Sequence, residues 1–360
     1  SATYVDDATG LIKTTPVNLL TYSEDFSQSN WYKPDISLTS GYTAPDGSNT
    51  AYKVTKTGNN SHLVILNDIG ANKHKSIWAK TVSGTGTIHL LNQNANSNSL
   101  FSLTSEWQRF DVAPTGVNYF YGVDFRSGNT TLTEVIIWGA QLEEGTTASP
   151  YIKTGSTISG AARYENGELL LEPARTNVLP YSEEFENSGW YKAPGLSIDS
   201  TLVTGPDGVL SGRKILGLDA TAGERLSEVI GSFSNVTGTG SLWVKGEGSN
   251  IGKAVRLQLK RHQGPSVFAI TPDCFLTDQW QRIEITLVLP SANTGFVFNV
   301  QTASTLSISA SEVLIFGAQL EIAPYASSYI PTTSSTVTRA ADVSTSALGV
   351  DSWYNQSEGT

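Results

Sequence analysis

The sequence predicts an all-β protein that consists of two tandem sandwich domains of the same fold. Two observations lead to this prediction. The 360-residue chain contains one set of motifs twice, in the same order. Between the motifs, apolar and polar residues alternate over short runs separated by turn-forming residues, a pattern typical of β-strands joined by tight turns.

The duplicated motifs define the two copies. The most similar pair is Trp-Gly-Ala-Gln-Leu-Glu at 138–143 and Phe-Gly-Ala-Gln-Leu-Glu at 316–321. The other matching pairs are 18–26 with 177–185, 31–33 with 190–192, 45–47 with 206–208, 77–80 with 242–245, 107–109 with 280–282, and 151–152 with 329–330. The spacing between motifs widens in the second copy while their order is kept. Because loops absorb insertions and strands do not, this is the pattern of two diverged domains.

The motifs also indicate where each domain begins and ends. Each copy is long enough to bury a core of its own. Asn166-Gly167 is a strong hairpin signal between the copies. The predicted ranges are an N-terminal hairpin and linker at 1–17, a first sandwich at 18–158, a hairpin linker at 159–176, a second sandwich at 177–336, and a segment at 337–360 that leads to a further domain.

Alternation within the strands predicts which side chains face the core. In the first copy Ile77 and Ala79 are expected inside, with Trp78 and Lys80 outside. The second copy repeats this pattern, with Leu242 and Val244 inside and Trp243 and Lys245 outside. Two further runs alternate in the same way, at 255–262 and 296–301. No stretch keeps a helical period over three turns.

Composition excludes several classes of function. A net charge of −10 argues against nucleic acid, which requires a basic stripe. The single cysteine, Cys274, excludes a disulfide framework or a cysteine-rich metal site. No apolar run is long enough for membrane insertion. Neither a His-x-x-x-His pair, a Gly-x-Ser-x-Gly elbow nor a phosphate-binding loop is present, so we expect a protein that is not an enzyme.

The duplicated motifs resemble a domain that recurs in bacteriophage tail and fibre proteins. The opening Asn-Leu-Leu-Thr-Tyr-Ser-Glu-Asp-Phe at 18–26, followed by Trp31, is also similar to jelly-roll carbohydrate-binding modules. The resemblance implies two jelly-roll-like sandwiches in a non-catalytic virion protein, a tail fibre, spike or appendage that contributes to host attachment. It further implies other virion proteins as partners, a homotrimer, and bacterial surface polysaccharide as a candidate ligand.

Two other interpretations stay open. One is a glycan-binding module of a secreted bacterial polysaccharide-degrading enzyme. The other is a purely architectural capsid-decoration or baseplate component.

Glycan binding would need exposed aromatic rings beside polar groups, because a ring can stack on a sugar while amides and charges bind its hydroxyls. Trp78 and Trp243 are the first candidates. The residues expected to share their faces are Lys80, His89, Gln93, Asp124 and Arg126 in the first copy, and Lys245, Arg256, Gln258 and His262 in the second. The alternative is that each Trp packs against a loop or a subunit, and its return in both copies favours a structural role.

Two further sets of charged residues have a functional and a structural interpretation. The resemblance implies a calcium site near the first strand of each copy, at Glu24, Asp25, Glu183 and Glu184. Calcium requires six to eight oxygen ligands, and the alternative is simply solvated acidic residues. Arg109 and Arg282 each follow a Trp by two residues and could bind an acidic ligand or form a structural ion pair.

Overall fold

The structure is a computed structural model that describes residues 2–65, 73–92, 99–114, 120–126, 128–218, 225–290 and 295–342. Its regular structure is almost entirely β-strand, and short 3-10 turns occur at Gly248–Asn250 and Leu306–Ile308. The all-β prediction is therefore confirmed. None of the helical segments in these ranges has the length and apolar character needed to cross a membrane. Residues 343–360, where a further domain was expected to begin, lie outside the described residues.

The chain forms two compact units. The first unit is Pro16–Ala161, and the second unit combines Ser1–Thr15 with Ala162–Thr360. The N-terminal segment, predicted as a linker before the first sandwich, thus packs with the second.

The strands up to residue 160 are β1 (Thr3–Val5), β2 (Ile12–Thr14), β3 (Val17–Asn18), β4 (Trp31–Tyr32), β5 (Ile36–Tyr42), β6 (Ala51–Lys56), β7 (His62–Ile65), β8 (Lys73–Lys80), β9 (Gly86–Leu90), β10 (Leu100–Leu103), β11 (Gln108–Val112), β12 (Tyr121–Asp124), β13 (Glu134–Glu144) and β14 (Ser159–Gly160). In the first unit they form two antiparallel five-stranded sheets. The "motif sheet", in the order β11-β8-β13-β6-β5, holds the Gly-Ala-Gln-Leu-Glu strand β13; the "facing sheet" has the order β10-β9-β12-β7-β4.

The remaining strands are β15 (Tyr164–Glu165), β16 (Glu168–Leu169), β17 (Arg175–Asn177), β18 (Tyr191–Lys192), β19 (Ser197–Ile198), β20 (Val203–Thr204), β21 (Leu210–Leu216), β22 (Arg225–Ile230), β23 (Thr237–Lys245), β24 (Ala254–Arg261), β25 (Phe268–Ile270), β26 (Cys274–Phe275), β27 (Gln281–Val288), β28 (Phe296–Thr302), β29 (Glu312–Glu321) and β30 (Val337–Arg339). The motif sheet of the second unit has the order β19-β21-β29-β23-β27, with β20 beside β21. Its facing sheet has the order β18-β22-β28-β24-β25, with β26 also pairing with β24.

The core of each unit lies between its two sheets, and the predicted inward residues are there. Ile77 and Ala79 are buried in the first core, and Leu242 and Val244 in the second. Val255, Leu257, Leu259, Phe296, Phe298 and Val300 complete the predicted inward set and all join the second core. The duplicated Trp31 and Trp190 are buried in the two cores, each packed against a Phe ring.

A β-bulge explains the central glycine of the duplicated motif. The register of β13 against β8 shifts between Trp138 and Gln141, and Gly139 has a φ of 64°. Glycine adopts this left-handed conformation without the penalty that a Cβ brings. Strict alternation from Trp138 would point Gln141 into the core. The extra residue reverses the alternation, so Gln141 and Glu143 lie on the outer face of the motif sheet.

Candidate functional site

The duplicated Gly-Ala-Gln-Leu-Glu motif holds a returning segment of chain onto the motif sheet. In the first unit the Gln141 Nε2 donates to Glu143 Oε2 at 2.7 Å and to Ser149 Oγ at 3.1 Å. The Ile152 amide donates to Gln141 Oε1 at 2.7 Å. The Ser149 amide donates to Glu143 Oε2 at 3.1 Å. These groups satisfy one another, so the motif has a structural role.

The second unit repeats the same contacts. Gln319 Nε2 donates to Glu321 Oε2 at 2.9 Å, and the Ile330 amide donates to Gln319 Oε1 at 2.7 Å. The Ser327 amide donates to Glu321 Oε2 at 2.7 Å. Identical hydrogen bonds in both copies account for the preservation of this motif without any ligand.

Arg109 and Arg282 belong to the same structural arrangement. Arg109 donates to the Ser149 carbonyl at 2.6 Å, and Arg282 donates to the Ser327 carbonyl at 2.8 Å. Each also donates to a serine hydroxyl of the neighbouring strand at 2.9 Å. Among the described residues, Arg109 has no acidic side chain within ion-pair distance. Arg282 has one, Glu284, whose carboxylate lies 3.8 Å from the Arg282 Nε. The main partners are therefore backbone carbonyls, not the acidic side chains that the structural interpretation named.

Trp78 and Trp243 lie on the outer faces of the two motif sheets, as the alternation predicted. Both are half-buried. Trp78 pairs with Trp138 across β8 and β13 and joins an outer cluster with Trp107 and Tyr151. Trp243 packs in a cluster with Ile12 from the N-terminal hairpin, Phe316, Tyr329 and Trp280. Neither indole is an open platform, because each has apolar neighbours within its own unit.

Lys80 and Lys245 lie on the same outer faces as Trp78 and Trp243. The other candidate glycan-binding residues that the structure describes do not. The Lys80 ammonium lies 5.1 Å from the centre of the Trp107 ring, a cation–π distance. Lys245 is half-buried at the end of β23.

A cavity of about 310 Å³ in the second unit is lined by Trp243 and Arg282, together with Tyr4, Glu165 and Ser328. The Trp243 Nε1 and Arg282 Nε have no hydrogen-bond partner among the described residues. The equivalent atoms of the first unit, in Trp78 and Arg109, also lack one. Because both copies have the same unpaired atoms, these atoms do not identify the cavity as a ligand site.

The proposed calcium ligands have protein partners. Glu24 accepts hydrogen bonds from Lys153 at 2.8 Å and Tyr151 at 3.2 Å. Burial opposes ionisation of Asp25, but hydrogen bonds from Ser27, Gln28 and Tyr52 outweigh it and lower the pKa of Asp25 to about 2.

In the second unit, burial raises the pKa of Glu183, whose carboxylate accepts a hydrogen bond from Tyr329 at 2.8 Å. Glu184 is half-buried, and its amide donates to the Tyr181 carbonyl. No cluster of three His, Cys, Asp or Glu side chains suited to a metal occurs within the described ranges.

The outer face of the second unit's facing sheet combines exposed rings with amides. Tyr191 on the edge strand β18 is 54% exposed, and Phe268 and Phe275 on the opposite edge are each 53% exposed. Between them Asn299 Nδ2 donates to Gln258 Oε1 at 2.9 Å. That bond fixes the Gln258 amide with its nitrogen available as a donor.

Cations lie on the same face. Arg225, Arg256 and Lys260 point outward, because they alternate with the core residues of β22 and β24. Arg256 donates to the carbonyls of Thr302 and Ala303 at 3.0 and 3.1 Å. This face therefore offers rings, amide groups and positive charge together.

The facing sheet of the first unit has a different polar row at the same position. Asp124 pairs with His62 on one side and with His89 on the other. Arg126 donates to both oxygens of Asp124, at 2.9 and 2.8 Å. Burial lowers the pKa of His62, which packs against the exposed Tyr32 at a ring distance of 5.6 Å.

The structure thus divides the predicted glycan-binding residues between two sheets. His89, Asp124 and Arg126 belong to the facing sheet of the first unit, whereas Trp78 and Lys80 belong to its motif sheet. The expectation that they share one face is wrong. In the second unit Arg256 and Gln258 lie on the facing sheet, Trp243 and Lys245 on the motif sheet, and His262 is exposed just beyond the end of β24. Gln93 lies outside the described residues.

Sequence reasoning missed the exposed rings. Tyr32 and Tyr191 follow the two core tryptophans in the duplicated Trp-Tyr-Lys motif, so a surface pair could have been predicted from the strand alternation. Phe268 and Phe275 had no comparable signal, because short edge strands do not show a clear period.

Comparisons with known proteins give structural similarities only. A scan of protein-family models finds no match, and a search of curated proteins finds none either. Among solved structures, the tandem CBM22-1-CBM22-2 domain of Paenibacillus barcinonensis Xyn10C matches with a TM-score of 0.34 and 12% identity, over 86% of this chain and 99% of that one.

Two more solved structures match over smaller parts of the chain. The CBM22-1 xylan-binding domain of the same Paenibacillus protein matches with a TM-score of 0.33 and 14% identity, over 42% of this chain and 94% of that one. The enzymatically active domain of bacteriophage CBA120 tailspike protein 4 matches with a TM-score of 0.30 and 12% identity, over 40% of this chain and 21% of that one. Similarities of this size carry no argument about the ligand of this chain.

Proposed function

We propose that this protein is a non-catalytic glycan-binding protein whose ligand lies on the outer face of the second unit's facing sheet. One observation carries the proposal: exposed aromatic rings stand on both edges of that sheet, with amides and cations between them. Exposed Phe rings leave apolar area in contact with water, and the apolar face of a bound sugar ring would cover it.

The dimensions of the face fit an extended polymer. Phe268 pairs with Lys260 and Phe275 with Ala254, six residues apart along β24. At about 3.4 Å per residue, the two rings are separated by roughly 20 Å along the strand. A chain of several sugar residues spans that length, with rings against its apolar faces and Gln258 donating to its hydroxyls.

We further propose that the protein acts in host attachment, as part of a bacteriophage tail fibre, spike or appendage in the virion. The resemblance of both halves to a domain of phage tail and fibre proteins supports this role. A glycan-binding module of a secreted bacterial polysaccharide-degrading enzyme fits the same face about as well. The trimer and the other virion proteins implied by the resemblance belong to this proposal, and light scattering of the purified chain tests the trimer directly.

The test is calorimetric titration of the full chain with a panel of bacterial surface and plant cell-wall polysaccharides. Phe268→Ala and Phe275→Ala should each weaken binding by about 1–2 kcal/mol, or roughly five- to thirtyfold, through loss of ring stacking. Val288→Ala is the matched control, because Val288 is 64% exposed but lies on the motif sheet. It should bind as the wild type does.

The outcomes separate the roles. Binding to polysaccharide from one bacterial surface, together with labelling of intact cells of that strain, supports host attachment. Binding to cell-wall polysaccharide without labelling of any bacterium supports the module of a secreted enzyme. Absence of binding to the whole panel would refute the proposal and leave the architectural interpretation.

A further inference from the structure

The duplicated facing sheets differ in charge at equivalent positions, and strand register identifies those positions. Tyr32 pairs with Val64, and Tyr191 pairs with Ser227, so these two pairs are equivalent. His62 lies two residues before Val64 on β7, and Arg225 lies two residues before Ser227 on β22.

The equivalence continues across the sheets. His62 pairs with Asp124, which pairs with His89. Arg225 pairs with Gln301, which pairs with Arg256. The row is therefore His-Asp-His in the first unit and Arg-Gln-Arg in the second. The second unit has lost the carboxylate and gained two guanidinium groups.

The other outward strand positions of the second unit's face add positive charge and no negative charge. Lys260 also points outward on β24, beside the exposed Phe268. The outward positions on the strands of this sheet, all of them described, are 191, 225, 227, 229, 254, 256, 258, 260, 268, 270, 275, 297, 299 and 301, and none is acidic. The outer face of the motif sheet in the same unit also carries three cations, Lys214, Lys245 and Arg282, but Glu284 and Glu312 lie among them.

Two of these cations can still contact a ligand. Lys260 makes no hydrogen bond or ion pair within the described part of the chain. Arg256 uses Nε and Nη2 for two backbone carbonyls, and its Nη1 has no partner among the described residues. Its nearest carboxylate is Asp273 at 3.8 Å, which itself accepts a hydrogen bond from the Ser304 amide at 2.7 Å.

The first unit provides the contrast. Its row contains one carboxylate, Asp124, which Arg126 pairs with directly. Burial lowers the pKa of His62 and so favours the neutral ring near pH 7. That face has no equivalent of the two arginines.

We propose that the facing sheet of the second unit binds an acidic polysaccharide, one with carboxylates spaced along an extended chain, and that the first unit's facing sheet does not select for this charge. The inference rests on the proposed glycan-binding function. Lys260 and Arg256 are four residues apart on β24, or about 13 Å, so they contact two separate carboxylates of one ligand chain. Phe268 and Gln258 would bind the sugar rings beside and between them.

The experiment compares polygalacturonate with the same polymer after methyl esterification, which removes its charge and keeps its backbone. We expect the full chain to bind the acidic form at least tenfold more tightly at low salt. The difference should shrink as ionic strength rises, because exposed ion pairs are screened.

Variants locate the effect. Lys260→Gln and Arg256→Gln should each weaken binding of the acidic polymer by about tenfold, as expected for loss of a charge-assisted hydrogen bond, and should weaken binding of the esterified polymer much less. Lys214→Gln removes the same charge from the motif sheet of the same unit and should change neither. Lys260 makes no hydrogen bond or ion pair within the described ranges, and glutamine keeps most of its alkyl chain, so this variant separates binding from folding.

Three results are distinguishable. Preference for the acidic polymer that disappears in Lys260→Gln supports the inference. Equal binding of both polymers, or binding of neutral glycans alone, overturns the acidic specificity. If Phe268→Ala still weakens that binding, the proposed glycan-binding function stands. No binding to acidic or neutral polysaccharides refutes both.

Discussion

Replacement of Asn177 by leucine should destabilise the second unit strongly. Its side chain is fully buried, and Nδ2 donates to the carbonyls of Ala318 and Ile330 at 3.2 and 2.9 Å. Its Oδ1 accepts from the amides of Leu179 and Leu320 at 3.1 and 3.0 Å. The residue thus joins its own segment to two segments that lie 141 to 153 residues later in the chain.

The magnitude follows from these four contacts. A typical hydrogen bond contributes about 0.5–1.5 kcal/mol net, and a buried group left unpaired costs about 1–3 kcal/mol. Leucine leaves two amides and two carbonyls unpaired and recovers part of the loss through apolar burial. We therefore expect a loss of about 3–5 kcal/mol, which for a unit of this size lowers Tm by roughly 6–20 °C.

The assay is thermal and urea denaturation followed by tryptophan fluorescence. Asn18→Leu should produce a similar loss in the first unit, because Asn18 makes the same four contacts there. Asn49→Leu, at an exposed asparagine, is the control and should change the free energy of unfolding by less than about 0.5 kcal/mol. If Asn177→Leu stays within about 1 kcal/mol of the wild type, water replaces these contacts and the side chain does not hold the unit together.

Three further predictions test the fold. Leu242→Ala should lower the free energy of unfolding by about 2–5 kcal/mol, because Leu242 is fully buried in the core. Trp243→Ala should lower it by less, because Trp243 lies half-buried on the outer face. Urea melts that reverse this order would contradict the assignment of faces. Gly317→Ala should lower the free energy of unfolding by about 1–2 kcal/mol in thermal melts, since φ of Gly317 is 64° and the new Cβ would lie 3.1 Å from the Tyr329 ring. An unchanged stability would mean that the bulge relaxes. Burial raises the pKa of Glu228 from 4.5 to about 7, so the folded state binds a proton more tightly than the unfolded state. Stability should therefore fall as pH rises from about 4.5 to 7, and Glu228→Gln should make that slope shallower. An unchanged slope would rule out Glu228 as a source of it.

Local pattern was sufficient for the fold class and for the facing of the strands. Ile77, Leu242 and Phe298 were assigned to the core by alternation, since successive side chains of a strand point to opposite faces. The duplication of whole motifs indicated two similar sandwiches, because insertions accumulate in loops and leave strand order intact. Both inferences can be made from the sequence without knowing which strands pair, and both are confirmed.

Only the tertiary structure decided which outward residues share a face. Trp78 and His89 both point outward, but one belongs to the motif sheet and the other to the facing sheet. Sheet membership depends on which strands pair, and those partners are distant in the chain. The same limit applied to the Gly-Ala-Gln-Leu-Glu motif, whose bulge redirects Gln141 toward a segment that returns several residues later.

The candidate binding face required both kinds of information. The sequence determined that Arg256 and Gln258 point outward, because they alternate with the apolar residues of one strand. That Tyr191 lies across the same sheet from Phe268 and Phe275 was decided by the order of strands β18-β22-β28-β24-β25. Alternation predicts only which side chains of one strand share a face, whereas a binding face consists of several strands. The free energy that holds those strands together comes from burial of the core on the opposite side of the sheet.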